Sequence, residues 1–331
     1  MQMEIIKKKE KKKMDIVVIS LFDGLSGARL ALEGLKDINV LRYYSSDIDE
    51  FAIKVADSNY PQDTLYRLGD ITKIDTDKLK LEISNDFGDI PILLIGGSPC
   101  QGFSIAGHMR GSATKEGLDV VSLDQYLNLK SNGFEFDGQS FLFWEYQRIK
   151  RDINPIFWVL ENVRVTKKWL PMFNETMGVD GKLINSNVFS AQDRPRFYWA
   201  STILEDPTEI STLTIKDILE DLPIEQPLSP YMSKKFNGVS RLKKGIFNFT
   251  ERPKGVTQTT GSGHGCKYII KGNPDNAIAK RKLTPLEQER LQTIPDNYTA
   301  YVPTGKREHM IGNGFTIKVI EFVLNQVLKN K

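Results

Sequence analysis

Along the first two hundred residues, unbroken apolar runs alternate with stretches in which apolar side chains recur at helical spacing. Residues 15–22 (DIVVISLF) form a nearly continuous apolar run of strand length, which predicts a buried strand. Gly24 and Gly27 then turn the chain into a segment carrying Leu30, Leu32 and Leu35, a predicted helix. Residues 40–45 predict a second strand and 48–56 a second helix. Residues 91–95 (PILLI) predict a third strand, which runs into Gly96-Gly97-Ser98-Pro99-Cys100. Residues 140–151 read as a helix, 156–160 (IFWVL) as a strand and 197–201 as a late strand. Strands separated by helices imply βαβ units and a largely parallel sheet, so the expected class is α/β.

Two stretches break this rhythm. Residues 102–139 are long, polar and glycine-containing, which predicts a functional loop. From 202 to 280 the alternation is lost, and Pro207, Pro223, Pro227, Pro230 and Pro253 mark loops. The expected organisation is a tail at 1–13, a catalytic domain at 14–201, an irregular recognition domain at 202–282 and a catalytic return at 283–331.

Composition narrows the classes. A chain of 331 residues with 40% hydrophobic and 26% charged side chains can bury a core, which excludes disordered and collagen-like proteins. No apolar run approaches the roughly 20 residues that span a bilayer. The run that follows the first lysines is short and lacks a small-residue cleavage site, so no secretory signal is expected. Two cysteines, Cys100 and Cys266, make neither a disulfide scaffold nor a four-ligand zinc site, and no metal is expected. The expected compartment is a reducing cytosol, with no membrane partner.

The net charge of +3 conceals a strong pattern. Residues 1–13 carry +4, 14–101 carry −7, 202–233 carry −6, and 234–282 carry +10. A charge run can be a solvated face, or it can be a polyanion-binding surface, because clustered Lys and Arg displace counterions from phosphates.

Four clusters carry candidate chemistry. The turn Phe22-Asp23-Gly24-Leu25-Ser26-Gly27 lies between a strand and a helix, where glycine lets backbone approach a ligand. It is not G-x-G-x-x-G, which weakens a nicotinamide-dehydrogenase reading. Asp47 falls twenty residues beyond Gly27, where a carboxylate can accept ribose hydroxyls, and Asp70 could receive an adenine amino group. Cys100 follows a strand in a Gly-rich turn, whose amides can stabilise a thiolate nucleophile. Glu161 ends the strand IFWVL and suits proton donation, while Asn162 beside it is open to a helix-capping role. Arg194 and Arg196 alternate within QDRPR and could converge on one acceptor.

In this order, FDGLSG, Asp47, GDIT, SPCQGFS, ENV, QDRPR, LTPLEQERLQTIPD and IGNG resemble the DNA cytosine-5 methyltransferases. The likeness leans toward members with a short recognition region and covers most of the chain outside 1–13, the loop after Cys100 and 202–255. It implies a Rossmann-like methyltransferase sheet that uses S-adenosyl-L-methionine, with a small irregular DNA-recognition domain. It also implies duplex DNA as partner, flipping of the target base, and a monomeric prokaryotic or phage-encoded enzyme. In such systems a restriction endonuclease can share the recognised site.

Residue by residue, the resemblance makes Cys100 the nucleophile toward cytosine C6 and Glu161 the group at N3. Arg194 and Arg196 would contact the flipped base and the loop that holds it. Phe22, Gly24, Leu25, Ser26, Gly27, Asp47, Ile48, Asp70, Ile71, Pro99, Leu142, Asn313 and Gly314 would hold the cofactor. Gln101, Ser104, Gln192, Lys243, Lys244, Gln258, Thr259, Thr260, Gly261 and Ser262 would contact DNA. The segment 102–139 resembles the family's mobile loop, and a helix over 316–328 would pack beside the first strand. Gly314 stands where the family commonly has serine, and Asp23 where it commonly has a small apolar residue. A tRNA-directed branch shares these motifs, and the basic 234–282 segment favours DNA over it. A catalytically silent homologue is disfavoured because Cys100, Glu161 and both arginines are intact.

Overall fold

The computed structural model describes residues 13–60, 66–99, 102–103, 112–228, 247–258, 267–273 and 277–329. Cys100, Gln101, Ser104, Lys243, Lys244, Thr259, Thr260, Gly261, Ser262 and Cys266 lie outside the described residues.

Strand β1 (Met14–Leu21) explains why its sequence is continuously apolar. Ile16 and Val18 enter the core on one face, while Val17, Ile19 and Leu21 enter the core on the other. A strand covered on both sides has no polar face to alternate with. Burying each such side chain contributes about 1.5–3 kcal/mol.

Helix α1 (Gly27–Glu33), β2 (Ile38–Ser46) and α2 (Glu50–Asn59) follow. The Asp49 carboxylate caps α2 by accepting the N–H groups of Phe51 and Ala52. Next come α3 (Thr76–Phe87), β3 (Ile92–Gly97), α4 (Leu123–Ser131), α5 (Leu142–Ile153), β4 (Phe157–Val163) and α6 (Leu170–Met177). Strands β5 (Lys182–Asn185), β6 (Gln192–Asp193) and β7 (Pro195–Ala200) complete this part. The central sheet has the order β2-β1-β3-β4-β7-β5. Its first four strands are parallel, and β7 runs antiparallel to both β4 and β5. The α/β class and its parallel-rich sheet are therefore present, with one reversed strand.

The described part of 102–139 is not an open loop. Helix α4 packs on α5, and the Tyr126 ring lies 4.8 Å from Phe136 and stacks near Phe141. Glu145, fully buried on α5, accepts from the Tyr126 hydroxyl, Lys130 and Arg148. Tyr126 is the one buried residue of α4, so this helix carries too few apolar positions for a period to be read.

Beyond β7 come α7 (Ile215–Ile218), β8 (Gln226–Pro227), β9 (Asn248–Phe249) and β10 (Gly255–Val256). Strands β11 (Tyr268–Lys271) and β12 (Ala279–Lys282) join β8 and β9 in a four-stranded sheet ordered β8-β12-β11-β9. The chain then returns through α8 (Pro285–Leu291), α9 (Thr304–Asn313) and α10 (Ile317–Lys329). Val319, Ile320, Val323 and Leu324 of α10 join Ile16 and Val18 in one core. Among the described residues no helix is long and apolar enough to cross a membrane.

Candidate active site

Parallel strands place their C-terminal turns on one edge. Leu21 registers with Ser46 on one side and Gly96 on the other, and Gly97 registers with Glu161. The turns after β1, β2 and β3 and the end of β4 therefore stand side by side, where α/β sheets hold ligands.

In the β1–α1 turn, Phe22, Gly24 and Ser26 have φ of 56°, 56° and 60°. Only glycine takes such values without strain, so two of these three residues depend on their surroundings to hold them. Gly24 N–H donates to Asp47 Oδ2 at 2.7 Å, while the N–H groups of Ile48 and Asp49 donate to Oδ1 at 2.8 Å. Burial raises the Asp47 carboxyl above its usual range; the N–H groups of Asp49 and Gly24 oppose this, and the charge of Asp23 adds to it. At Gly27 a Cβ would stand 3.3 Å from Ile317 Cδ1, a tight contact against the last helix. At Gly314 a Cβ would lie 3.1 Å from the Met310 carbonyl and 3.5 Å from Leu25 Cδ2, so this turn abuts the first one.

The neighbouring Asp70 accepts from Thr72 N–H at 2.9 Å and from its hydroxyl at 2.8 Å. Burial pushes its carboxyl up, yet the Thr72 donors with Lys73 and Lys130 outweigh that and hold it below the ordinary value. Ile48 is 74% exposed, Ile71 is buried, and Phe22 and Leu142 are half-buried. An exposed apolar side chain between a glycine turn and two carboxylates suits a purine nucleoside, with an apolar face for the base and acceptors for its amino and hydroxyl groups. Asn313 is exposed at the end of α9, its amide 3.2 Å from His309 Nε2.

Glu161 lies at the end of β4 with Arg196 Nε 3.2 Å from its Oε1, both side chains 13% exposed. Burial raises the Glu161 carboxyl, opposed by Arg196 and then Arg194. A Cβ at Gly97 would meet Glu161 Oε2 and the Phe315 ring at 3.0 Å, so glycine there makes room for the carboxyl over β3. Asn162 is no helix cap. It is buried within β4, and its amide donates to Ser98 Oγ at 3.1 Å and to the Ser98 carbonyl at 3.3 Å. That bond fixes the turn two residues before Cys100.

The two arginines do not converge. Arg196 turns to Glu161, whereas Arg194 is buried and donates to the carbonyls of Gln258, Gly312 and Gly314 at 2.8–3.0 Å. Arg194 thus joins Gln258 to the turn that abuts Leu25. The reason is local: Pro195 separates the arginines at the step from β6 into β7, where the pleat that would align them is interrupted.

Gln192 and Gln258, expected to face DNA, are 0% and 1% exposed. Gln192 sits in β6, paired with β10, with neither amide atom hydrogen-bonded. Gln258 anchors the root of the following segment through its carbonyl. The basic segment is also partly internal. Lys254 donates to the carbonyls of Ser190, Ser211 and Leu213; Arg281 forms a two-pronged pair with buried Glu287, and Lys267 pairs with Glu308.

A glycine-rich turn with flanking carboxylates thus stands beside a glutamate–arginine pair on one edge of a parallel-rich α/β sheet. The model of the C-5 cytosine-specific DNA methylase family matches residues 16–125 and 128–329, and the chain belongs to that family. Membership implies S-adenosylmethionine as the methyl donor. The chain is similar to the type II methyltransferase M.NlaX of Neisseria lactamica, 27% identical over 94% of this chain and 95% of that protein. It is also similar to M.HpaII of Haemophilus parainfluenzae, 26% identical over 94% and 88%. Among solved structures, the Entamoeba histolytica methyltransferase EhMeth aligns with TM-score 0.65 at 14% identity, over 96% of this chain and 99% of that one. At these identities the structural likeness speaks for the fold.

Signals for Asn162, Asp23 and the anchoring role of Arg194 were weak in the sequence. The partners of Asn162 lie 64 residues away, those of Arg194 64–120, and Tyr43 and Ser45 lie 20 and 22 from Asp23, too far for any local pattern.

Proposed function

We propose that this chain transfers a methyl group from S-adenosylmethionine to C5 of a cytosine flipped out of a specific site in duplex DNA. The observation that carries the reading is the Glu161–Arg196 pair on the same sheet edge as the Ser98 turn that Asn162 holds, with Cys100 next after Pro99.

The Cys100 thiolate would add to cytosine C6, forming a C–S bond while the electron pair of the C5–C6 double bond moves to C5. Glu161, its carboxyl kept protonated to higher pH by burial, would hold N3 and relieve the charge that develops there. Arg196 orients that carboxyl from the side. The cofactor supplies an electrophilic methyl group on sulfur. Once C5 is methylated, loss of its proton lets the pair return to the ring and expels Cys100 as thiolate.

Asp47 and Asp70 would receive the ribose and the adenine amino group, with Ile48 against the base and Phe22, Leu25, Leu142 and Gly314 around them. Residues 202–282 would serve as the recognition domain and 14–201 with 283–331 as the catalytic domain. The relatives being type II methyltransferases, a restriction endonuclease that cuts the same site is the companion this reading suggests.

Labelled S-adenosylmethionine incubated with duplex DNA and, separately, tRNA tests the proposal. Label in 5-methylcytosine of DNA supports it; label in tRNA alone overturns the DNA assignment.

A further inference from the structure

Asp23 is 4% exposed, and its carboxylate is ringed by hydroxyls. Ser20 and Tyr43 donate to Oδ1 at 2.6 Å, while Ser26 and Ser45 donate to Oδ2 at 2.7 Å. Two donors on each oxygen are the arrangement an ionised carboxylate asks for. Burial, with the Asp23 charge second, lifts the Tyr43 hydroxyl well above the ordinary tyrosine value, so Tyr43 remains a donor. Among the described residues no lysine or arginine lies within ion-pair distance of Asp23. Arg67 reaches it only at one remove, donating to the Ser45 hydroxyl at 2.6 Å and pairing with Asp57.

A buried anion without a direct counter-cation leaves its field to act on what lies nearby. That field reaches the cofactor pocket, since the Asp23 charge is among the causes that raise the Asp47 carboxyl across Gly24. Hydroxyls alone could hold the turn together through a neutral acceptor, so the charge calls for a separate explanation.

Methyl transfer changes the charge of whatever occupies this pocket. S-adenosylmethionine carries a cationic sulfonium, and S-adenosylhomocysteine, its product, carries a neutral thioether; the amino-acid and nucleoside ends are the same in both. We infer that the Asp23 carboxylate is a specificity-determining group, tightening the site for the cationic donor relative to the neutral product and so favouring product exchange. This rests on the reading that the 22–27 turn holds S-adenosylmethionine. Asp23 acts through space and through the turn it anchors.

The test is calorimetric titration of both ligands into wild type and Asp23→Asn, which keeps the shape and removes the charge. The donor should bind about ten-fold more weakly to the variant, while the product changes by less than about three-fold. Parallel weakening of both ligands, or no change in either, overturns the inference. Tyr43→Phe alone removes one donor and leaves three on the carboxylate; it should weaken both ligands alike and preserve their ratio. A wild-type chain that binds neither ligand removes the cofactor reading itself, an outcome distinct from an unchanged ratio. Should thermal melts show Asp23→Asn unfolded, the wild type decides the matter with a nitrogen analogue of the donor. At a pH above the free analogue's own pKa, its tertiary amine should take up a proton from buffer on binding, read from titrations in buffers of different ionisation heat; binding without proton uptake there overturns the inference.

Discussion

Asn162 donates its side-chain amide to both the hydroxyl and the carbonyl of Ser98, at 3.1 and 3.3 Å. One buried amide thus ties the strand that carries Glu161 to the turn that leads into Cys100. Asn162→Ala should leave cofactor affinity near wild type and slow methyl transfer by about ten- to a hundred-fold, the cost of misplacing a nucleophile by an ångström or so. Single-turnover methylation at saturating cofactor measures this. A rate within two-fold of wild type would show that the turn holds without the bond.

Cys100→Ala should abolish methyl transfer and leave duplex binding in place, because affinity comes chiefly from phosphate contacts. Cys266→Ser should keep most activity. Gel-shift and methyl-incorporation assays on the same preparations separate the two properties, and a Cys100→Ala protein that methylates at near wild-type rate would falsify the assignment.

Burial lifts the Glu161 carboxyl above its unfolded value, so between those two values the folded chain binds the extra proton. Stability credited to this group is therefore largest at low pH and declines as pH rises through the raised value. Relative to Glu161→Gln, the wild type should lose melting temperature on going from pH 4 to pH 7. The same substitution should lower turnover by about two to four orders of magnitude. Paired thermal melts across pH test the sign; a constant difference between the two proteins contradicts it.

Arg194 satisfies three carbonyls from two distant parts of the chain. Leaving a buried carbonyl unpaired costs about 1–3 kcal/mol, so Arg194→Ala should lower the melting temperature markedly. It should also weaken cofactor and DNA binding together, since it roots both the 312–314 turn and the segment after Gln258. Arg194→Lys should rescue little, because an ammonium on a flexible stem does not match a planar fork. Full rescue by lysine would point to charge alone.

Sequence choice should reside beyond Gln258, which is itself buried. Lys243→Ala with Lys244→Ala should weaken binding about equally on all duplexes and flatten its salt dependence. Thr260→Ala should instead alter the ratio between cognate and one-base-altered sites, by about 1–3 kcal/mol. Binding titrations at several salt concentrations distinguish the two behaviours. If Thr260→Ala lowers affinity uniformly, bases are read elsewhere.

The sheet was legible because β1, β3 and β4 are buried on both faces and so print unbroken apolar runs. The turns after them were legible because Gly24, Gly27 and the Pro99-Cys100 pair are local. Helix α4 was not, since a single buried tyrosine anchors it. Nor were the partners of Asn162 and Arg194, nor Tyr43 and Ser45 on Asp23, because those bonds close long stretches of chain. The glutamines at 192 and 258 misled for a related reason: a polar residue type does not reveal that its strand is covered. The lysine and arginine count of 234–282 likewise concealed that Lys254, Lys267 and Arg281 are engaged within the protein.

The seat of the irregular region is built on main-chain atoms. Lys254 grips three carbonyls, Gly255 N–H meets the Ala191 carbonyl at 2.6 Å, Thr257 meets that of Asp193, and Arg194 returns the grip at Gln258. These main-chain contacts do not depend on the side chains mounted between them, although the Arg281–Glu287 and Lys267–Glu308 pairs also brace the region. Under the proposed function, residues carried between these joints could be exchanged with the docking unchanged, so that new target sites would arise by grafting on a chassis that need not be rebuilt.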